Sequence, residues 1–142
     1  MKNIVVVYWS GTGNTEAMAN ALVEGARIEE AKVTLLNVSE AKVEDVANAD
    51  AVALGCPSMG SEVLEEGEME PFVESISEAV KGKQLALFGS YGWGNGEWMI
   101  DWQARMIEYG AELVADGLII NESPDEEGLE QCRNLGESLA RN

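Results

Sequence analysis

Residues 10–15 of this 142-residue chain read Ser-Gly-Thr-Gly-Asn-Thr, a string of neutral hydrogen-bonding groups placed after the apolar run Ile4–Tyr8. The hydroxyls of Ser10, Thr12 and Thr15 and the amide of Asn14 can donate, while Gly11 and Gly13 allow a tight turn and a close approach to a ligand. A helix starting here would add its first N–H groups, which favour an anion without any charged side chain. No Lys or Arg occurs from Asn3 to Ala26, so the loop suits a terminal monophosphate held by hydrogen bonds rather than ion pairs. Other phosphate motifs fail: a dinucleotide fingerprint needs a third glycine near Glu16, and a P-loop needs Gly-Lys-Ser/Thr. A plain strand-to-helix turn needs one polar cap, not a string of six residues.

Two further stretches are unusual. Cys56-Pro57-Ser58-Met59-Gly60-Ser61-Glu62 sets a flexible glycine between a bulky apolar residue and an acceptor. Gly89-Ser90-Tyr91-Gly92-Trp93-Gly94-Asn95-Gly96 sets two aromatics among four glycines. Trp98 and Trp102 have helical spacing and read as core, but a loop so rich in glycine cannot bury Trp93 by itself. A flat aromatic ligand would, and stacking adds about 0.5–1.5 kcal/mol to the area buried.

The elements that must position these loops follow from periodicity. Ile4–Tyr8 and Ala51–Cys56 are strands without polar alternation, hence covered on both faces; Val33–Val38 and Leu85–Phe88 are two more, the latter stopped by Gly89. A last strand over Leu113–Ile120 is irregular at Asp116-Gly117. Helical faces run through Met18, Ala21, Leu22 and Gly25; through Phe72, Val73, Ile76 and Val80, with Pro71 in the first turn; through Trp98, Trp102 and Tyr109, ended by Gly110; and through Leu129, Cys132, Leu135 and Leu139. Five strands alternating with four clear helices describe an α/β fold with a parallel sheet, whose ligands bind beyond the carboxyl ends of the strands. Residues 1–142 read as a single domain. The three unusual loops follow strands one, three and four.

Composition narrows the function. The chain has no histidine, which removes the usual general base and metal ligand. Its two cysteines, Cys56 and Cys132, lack metal spacing and read as buried thiols. The formal charge is -17, and ten acidic residues with no Lys or Arg lie between Val43 and Val80. Such a surface repels nucleic acid and anionic membrane and favours basic protein partners. No apolar run is long enough to span a bilayer, so the expectation is a soluble cytoplasmic protein, monomeric.

At this point the chain resembles the flavodoxins, specifically the short-chain clostridial type, nearly end to end. The residues that carry the resemblance are Tyr-Trp-Ser-Gly-Thr-Gly-Asn-Thr-Glu at 8–16, Met-Gly-Ser-Glu at 59–62 and Leu-Phe-Gly-Ser-Tyr-Gly-Trp-Gly at 87–94. The resemblance implies a doubly wound five-stranded sheet of order 2-1-3-4-5, for which flavodoxin is the standard example. It also implies a non-covalent FMN and a low-potential one-electron carrier that stands in for ferredoxin between basic redox proteins. Ser10 to Thr15 would cradle the phosphate, with Trp9 shielding it. Met59 and Trp93 would cover the two ring faces. Glu62 would accept from flavin N3–H, and backbone N–H groups around Gly92–Gly94 would reach the pyrimidine oxygen. Pro57, Ser58, Gly89, Ser90 and Tyr91 complete the expected contacts. The Gly60–Ser61 peptide would turn its carbonyl to N5–H after one-electron reduction. Two departures stand out: Pro57 replaces a phosphate-binding serine of some relatives, and Ser61 replaces an aspartate.

Two rival readings weigh less. An FMN-dependent reductase would need a nicotinamide or quinone site, and no basic residues near these loops could grip a dinucleotide. A response-regulator receiver would need an acidic cluster after strand one and an aspartate ending strand three, where Trp9-Ser10 and Cys56-Pro57 stand.

Overall fold

The apolar N-terminal run becomes the second strand of a sheet in the computed structural model, which describes residues 2–27 and 30–142. In chain order the elements are β1 (Lys2–Tyr8), α1 (Asn14–Ala26), β2 (Ala31–Asn37), a 3-10 turn (Val38–Glu40), α2 (Val43–Ala47), β3 (Ala51–Gly55) and α3 (Met69–Ser75). They continue with β4 (Gln84–Tyr91), α4 (Glu97–Glu108), β5 (Glu112–Leu113), β6 (Leu118–Asn121) and α5 (Glu126–Arg141). The pairings between these strands are all parallel, in the order β2-β1-β3-β4-β5, with β6 also pairing β4.

The missing polar alternation of the central strands has its cause in two cores. Val5, Val7, Val52, Leu54, Leu85 and Leu87 face α3 and α4, where Met69, Val73, Trp98, Trp102 and Met106 are buried. Ile4, Val6, Ala51, Ala53, Ala86 and Phe88 face α1 and α5, where Met18, Leu22, Cys132, Leu135 and Leu139 are buried. Side chains of a strand alternate between faces, so an apolar residue is required at every position when both are covered.

β1, β2 and β3 differ from the sequence reading by one or two residues at their ends, and larger differences lie elsewhere. β4 runs through Gly89 to Tyr91 instead of stopping at the glycine. Gly89 is there for close approach: a Cβ on it would lie 2.1 Å from the Cys56 carbonyl oxygen. The last strand is broken into β5 and β6, with the break falling across the Asp116-Gly117 irregularity, where the Gln103 side-chain oxygen accepts the Gly117 N–H. A fifth helix, α2, went unread because its five residues bury only Val46 and give no periodic face. α3 ends at Ser75, yet Ile76 and Val80 continue its apolar face in the turns beyond and are fully buried.

The chain leaves β1 for β2 on one side and reaches β3 on the other. The carboxyl ends of β1 and β3 therefore flank the point where strand order reverses, the favoured ligand position in an open sheet.

Candidate functional site

Beyond those carboxyl ends lies a cleft of about 290 Å3, near the lower end of ligand-sized pockets (roughly 300–1,000 Å3). Trp9, Gly11, Thr12 and Asn14 line it from the first loop, Pro57, Ser58 and Met59 from the second, and Ser90, Tyr91 and Gly92 from the third. Glu122, from the loop after β6, completes the wall. No basic side chain is among these residues.

The first loop is folded by its own Ser10. Its Oγ accepts the N–H of Gly13 at 3.1 Å and that of Glu16 at 3.3 Å, curling the backbone around the start of α1. Gly13 supplies the left-handed corner with φ 98°. The N–H groups of Thr12, Asn14 and Thr15 have no acceptor among the described residues, so three donors stand open at the positive end of a 13-residue helix. Their arrangement suits an anion with several oxygens. The Thr15 side chain is buried instead, its hydroxyl 3.0 Å from that of Ser90. The Trp9 indole lies against the loop, 3.0 Å from where a Cβ on Gly11 would be.

The second loop leaves β3 at Cys56, whose carbonyl accepts the Trp98 indole N–H at 3.1 Å. Burial pushes the Cys56 thiol up to about 12, and the same cause does so for Cys132; both are free thiols and neither is a nucleophile at neutral pH. Ser58 N–H donates to Ser90 O at 3.0 Å, which seats the loop on β4. Met59, Gly60, Ser61 and Glu62 then form a tight turn, with Glu62 N–H donating to Met59 O at 2.7 Å. Met59 is half-buried in the cleft wall, while Gly60 and Ser61 are exposed at the rim. Glu62 does not line the cleft; its carboxylate accepts from Gly96 and Glu97.

In the third stretch Gly89, Ser90 and Tyr91 are strand residues, and Gly92, Trp93 and Gly94 are exposed. Trp93 is 62% exposed, the most exposed large apolar side chain among the described residues. The backbone N–H groups of Gly92, Trp93 and Gly94 have no acceptor among the described residues. Glu122 was missed by the sequence reading. It has φ 57° and its N–H donates to Tyr91 O at 2.7 Å, so the loop after β6 is bound to the end of β4. The signal was its position after the last strand, at the same carboxyl edge as the other loops.

These features fit a flat ligand with a monophosphate tail: open N–H donors without cationic side chains in the first loop, and apolar walls from Pro57, Met59 and Tyr91. Trp93 follows Gly92 but is exposed and does not itself line the cleft. The family model for Flavodoxin matches residues 6–136. The chain is 49% identical to the flavodoxin of Clostridium beijerinckii over 136 residues, 95% of this chain and 97% of that one. It is 46% identical to the flavodoxin of Megasphaera elsdenii, over 97% of this chain and 98% of that one. The solution structure of the two-electron reduced Megasphaera elsdenii protein superposes with a TM-score of 0.90, covering 98% of this chain and 99% of that one.

Proposed function

The chain belongs to the flavodoxin family, of the short-chain type, and from that premise we propose how its residues hold the cofactor and which partners it serves. It is an FMN-binding electron carrier rather than an enzyme. FMN, when bound, supplies the one-electron chemistry; the protein binds it, orients it and sets its surroundings.

The open N–H groups of Thr12, Asn14 and Thr15 take the phosphate, with the Thr12 hydroxyl and Asn14 amide beside them and Trp9 as cover. Ser10 and Gly13 shape that nest. Met59 and Trp93 lie against the two ring faces. Glu62 and the N–H groups of Gly92–Gly94 serve the pyrimidine edge, and the Gly60–Ser61 peptide serves the N5 edge. The carrier works at low potential. Its cleft has no cationic side chain, carries Glu122 in its wall and belongs to a chain of net charge -17, so added negative charge is disfavoured. Residues 1–142 act as one flavin-binding domain in the cytoplasm.

Its partners are basic redox proteins. Among the ten acidic residues between Val43 and Val80, Glu44, Asp50, Glu66, Glu68, Glu74 and Glu78 are exposed. Tertiary structure neutralises one of the ten, since Arg105 of α4 pairs with Glu70 at 2.6 Å. The rest have no basic partner close enough for an ion pair among the described residues, and they form a field that steers cations.

The observation that carries this reading is the set of unpaired backbone N–H groups at the start of α1. Calorimetry of the apoprotein with FMN and with riboflavin tests it. FMN is expected to bind at least a hundredfold more tightly; equal affinities would remove the phosphate assignment.

A further inference from the structure

The two loops assigned to opposite ring faces are joined by one side chain. Glu62 Oε1 accepts the backbone N–H of Gly96 at 3.1 Å and that of Glu97 at 3.0 Å. A carboxylate from the Met59 loop thus caps α4, whose own N-cap residue, Gly96, has no side chain to do so. The cap also places negative charge at the positive end of the helix.

Everything around the contact is shaped to it. Glu62 holds φ at 52°, a left-handed conformation that a residue with a Cβ adopts only when its surroundings impose it. The turn behind it is locked by Met59 N–H donating to Val63 O at 3.0 Å. Across from it, Gly94 at φ 89° leaves the space that the carboxylate fills: a Cβ there would lie 2.5 Å from the Glu62 carboxyl carbon. Glu62 Oε2 makes no hydrogen bond among the described residues, so the contact to α4 leaves one carboxylate oxygen free for a ligand.

We propose that Glu62 is a strap that fixes the spacing of the Met59 and Trp93 loops before the flavin arrives, and so acts as a positioning residue apart from any bond it makes to the ring. The inference rests on the FMN reading of the cleft. Its physical basis is pre-organisation: loops already held in the bound arrangement lose less freedom on binding.

The first test needs no flavin. Amide hydrogen exchange at Gly96 and Glu97 is followed by NMR in the apoprotein for wild type, Glu62→Gln and Glu62→Ala. The glutamine carbonyl oxygen can accept the same two N–H groups; alanine cannot. Exchange at both amides is expected to be at least tenfold faster in Glu62→Ala and near wild type in Glu62→Gln. Unchanged exchange in Glu62→Ala overturns the strap. If that variant does not fold, Gly94→Ala, whose Cβ displaces the carboxylate, takes its place with the same expectation.

The second test is calorimetry with N3-methyl-FMN, which has no N3–H to donate. Glu62→Ala is expected to bind it about tenfold more weakly than Glu62→Gln. Any bulk of the methyl against residue 62 favours the smaller alanine, so weaker binding by alanine cannot arise from a clash. Equal or tighter binding by alanine shows no net gain in affinity from the contact to α4 and overturns the proposal. Failure of the FMN reading is visible separately, as wild-type protein that does not bind FMN.

Discussion

The hydroxyls of Thr15 and Ser90 meet at 3.0 Å behind the cleft, buried and 75 residues apart in the chain. Thr15 also accepts the Ser90 N–H at 3.4 Å, so the start of α1 and the end of β4 are joined twice. Removing one partner from a buried pair costs about 1–3 kcal/mol, because the group left behind loses its bond without regaining water. Thr15→Val is therefore expected to destabilise the apoprotein by that amount in urea titrations. The double variant Thr15→Val/Ser90→Ala should cost less than the sum of the single changes, with a coupling of about 0.5 kcal/mol or more. Strict additivity would show that the contact contributes nothing.

Trp93 separates binding from folding. At 62% exposed, its indole adds little to the core, so Trp93→Ala should leave the thermal midpoint of the apoprotein within a degree or two, about ±0.5 kcal/mol. FMN affinity should fall by at least tenfold, and flavin fluorescence otherwise quenched by the indole should return. Unchanged affinity and fluorescence would take Trp93 out of the site.

Gly60 is expected to matter only when the carrier is reduced. In the structure an added Cβ at residue 60 has no atom within 4 Å, and Gly60 is not among the glycines of positive φ. Gly60→Ala should therefore leave apoprotein stability and oxidised FMN affinity nearly unchanged. The potential of the first one-electron couple should fall, because the methyl opposes the turn of the Gly60–Ser61 peptide towards N5–H. A hydrogen bond of about 0.5–1.5 kcal/mol is involved. A redox titration showing an equal or higher first potential in the variant would mean that this peptide does not respond to reduction.

The Glu70–Arg105 pair predicts a pH dependence. The hydrogen bonds from Arg105 hold the Glu70 carboxyl below its ordinary value, against the opposing effect of burial. A carboxylate with a depressed folded pKa contributes stability fully above the unfolded value, about 4.3, and loses it as pH falls through the folded value. Glu70→Gln is expected to destabilise by about 1 kcal/mol or less at pH 7, since both side chains are partly exposed. The difference between variant and wild type should shrink as pH falls below the ordinary carboxylate range and vanish once Glu70 is protonated in the folded protein. A difference that persists then would point to packing instead of charge.

Electron transfer to a basic partner should slow by roughly tenfold or more as salt rises, because the field of the exposed carboxylates is screened from about 30 Å at 0.01 M to about 8 Å at 0.15 M. Stopped-flow second-order rates measure this. A rate constant independent of salt would leave the charge as a solubility device.

What the sequence determined by itself is what depends on local order. Ile4–Tyr8 and Ala51–Cys56 declare strands buried on both faces, Ser10–Thr15 declares an anion nest, and a tryptophan among glycines at residue 93 declares an uncovered ring. Each signal lies within one short segment, where backbone preference and side-chain type act together. Tertiary structure decided which distant groups meet. Only the packed sheet puts the Cys56 carbonyl against Gly89, so that a glycine read as a stop continues a strand. Only the packing of α4 beside the β3 loop carries Arg105 to Glu70, 35 residues away, and Gly96 to Glu62, 34 away. The loop of Glu122 enters the cleft for the same reason: where a chain returns is set by the summed packing of all its elements, which no single segment encodes.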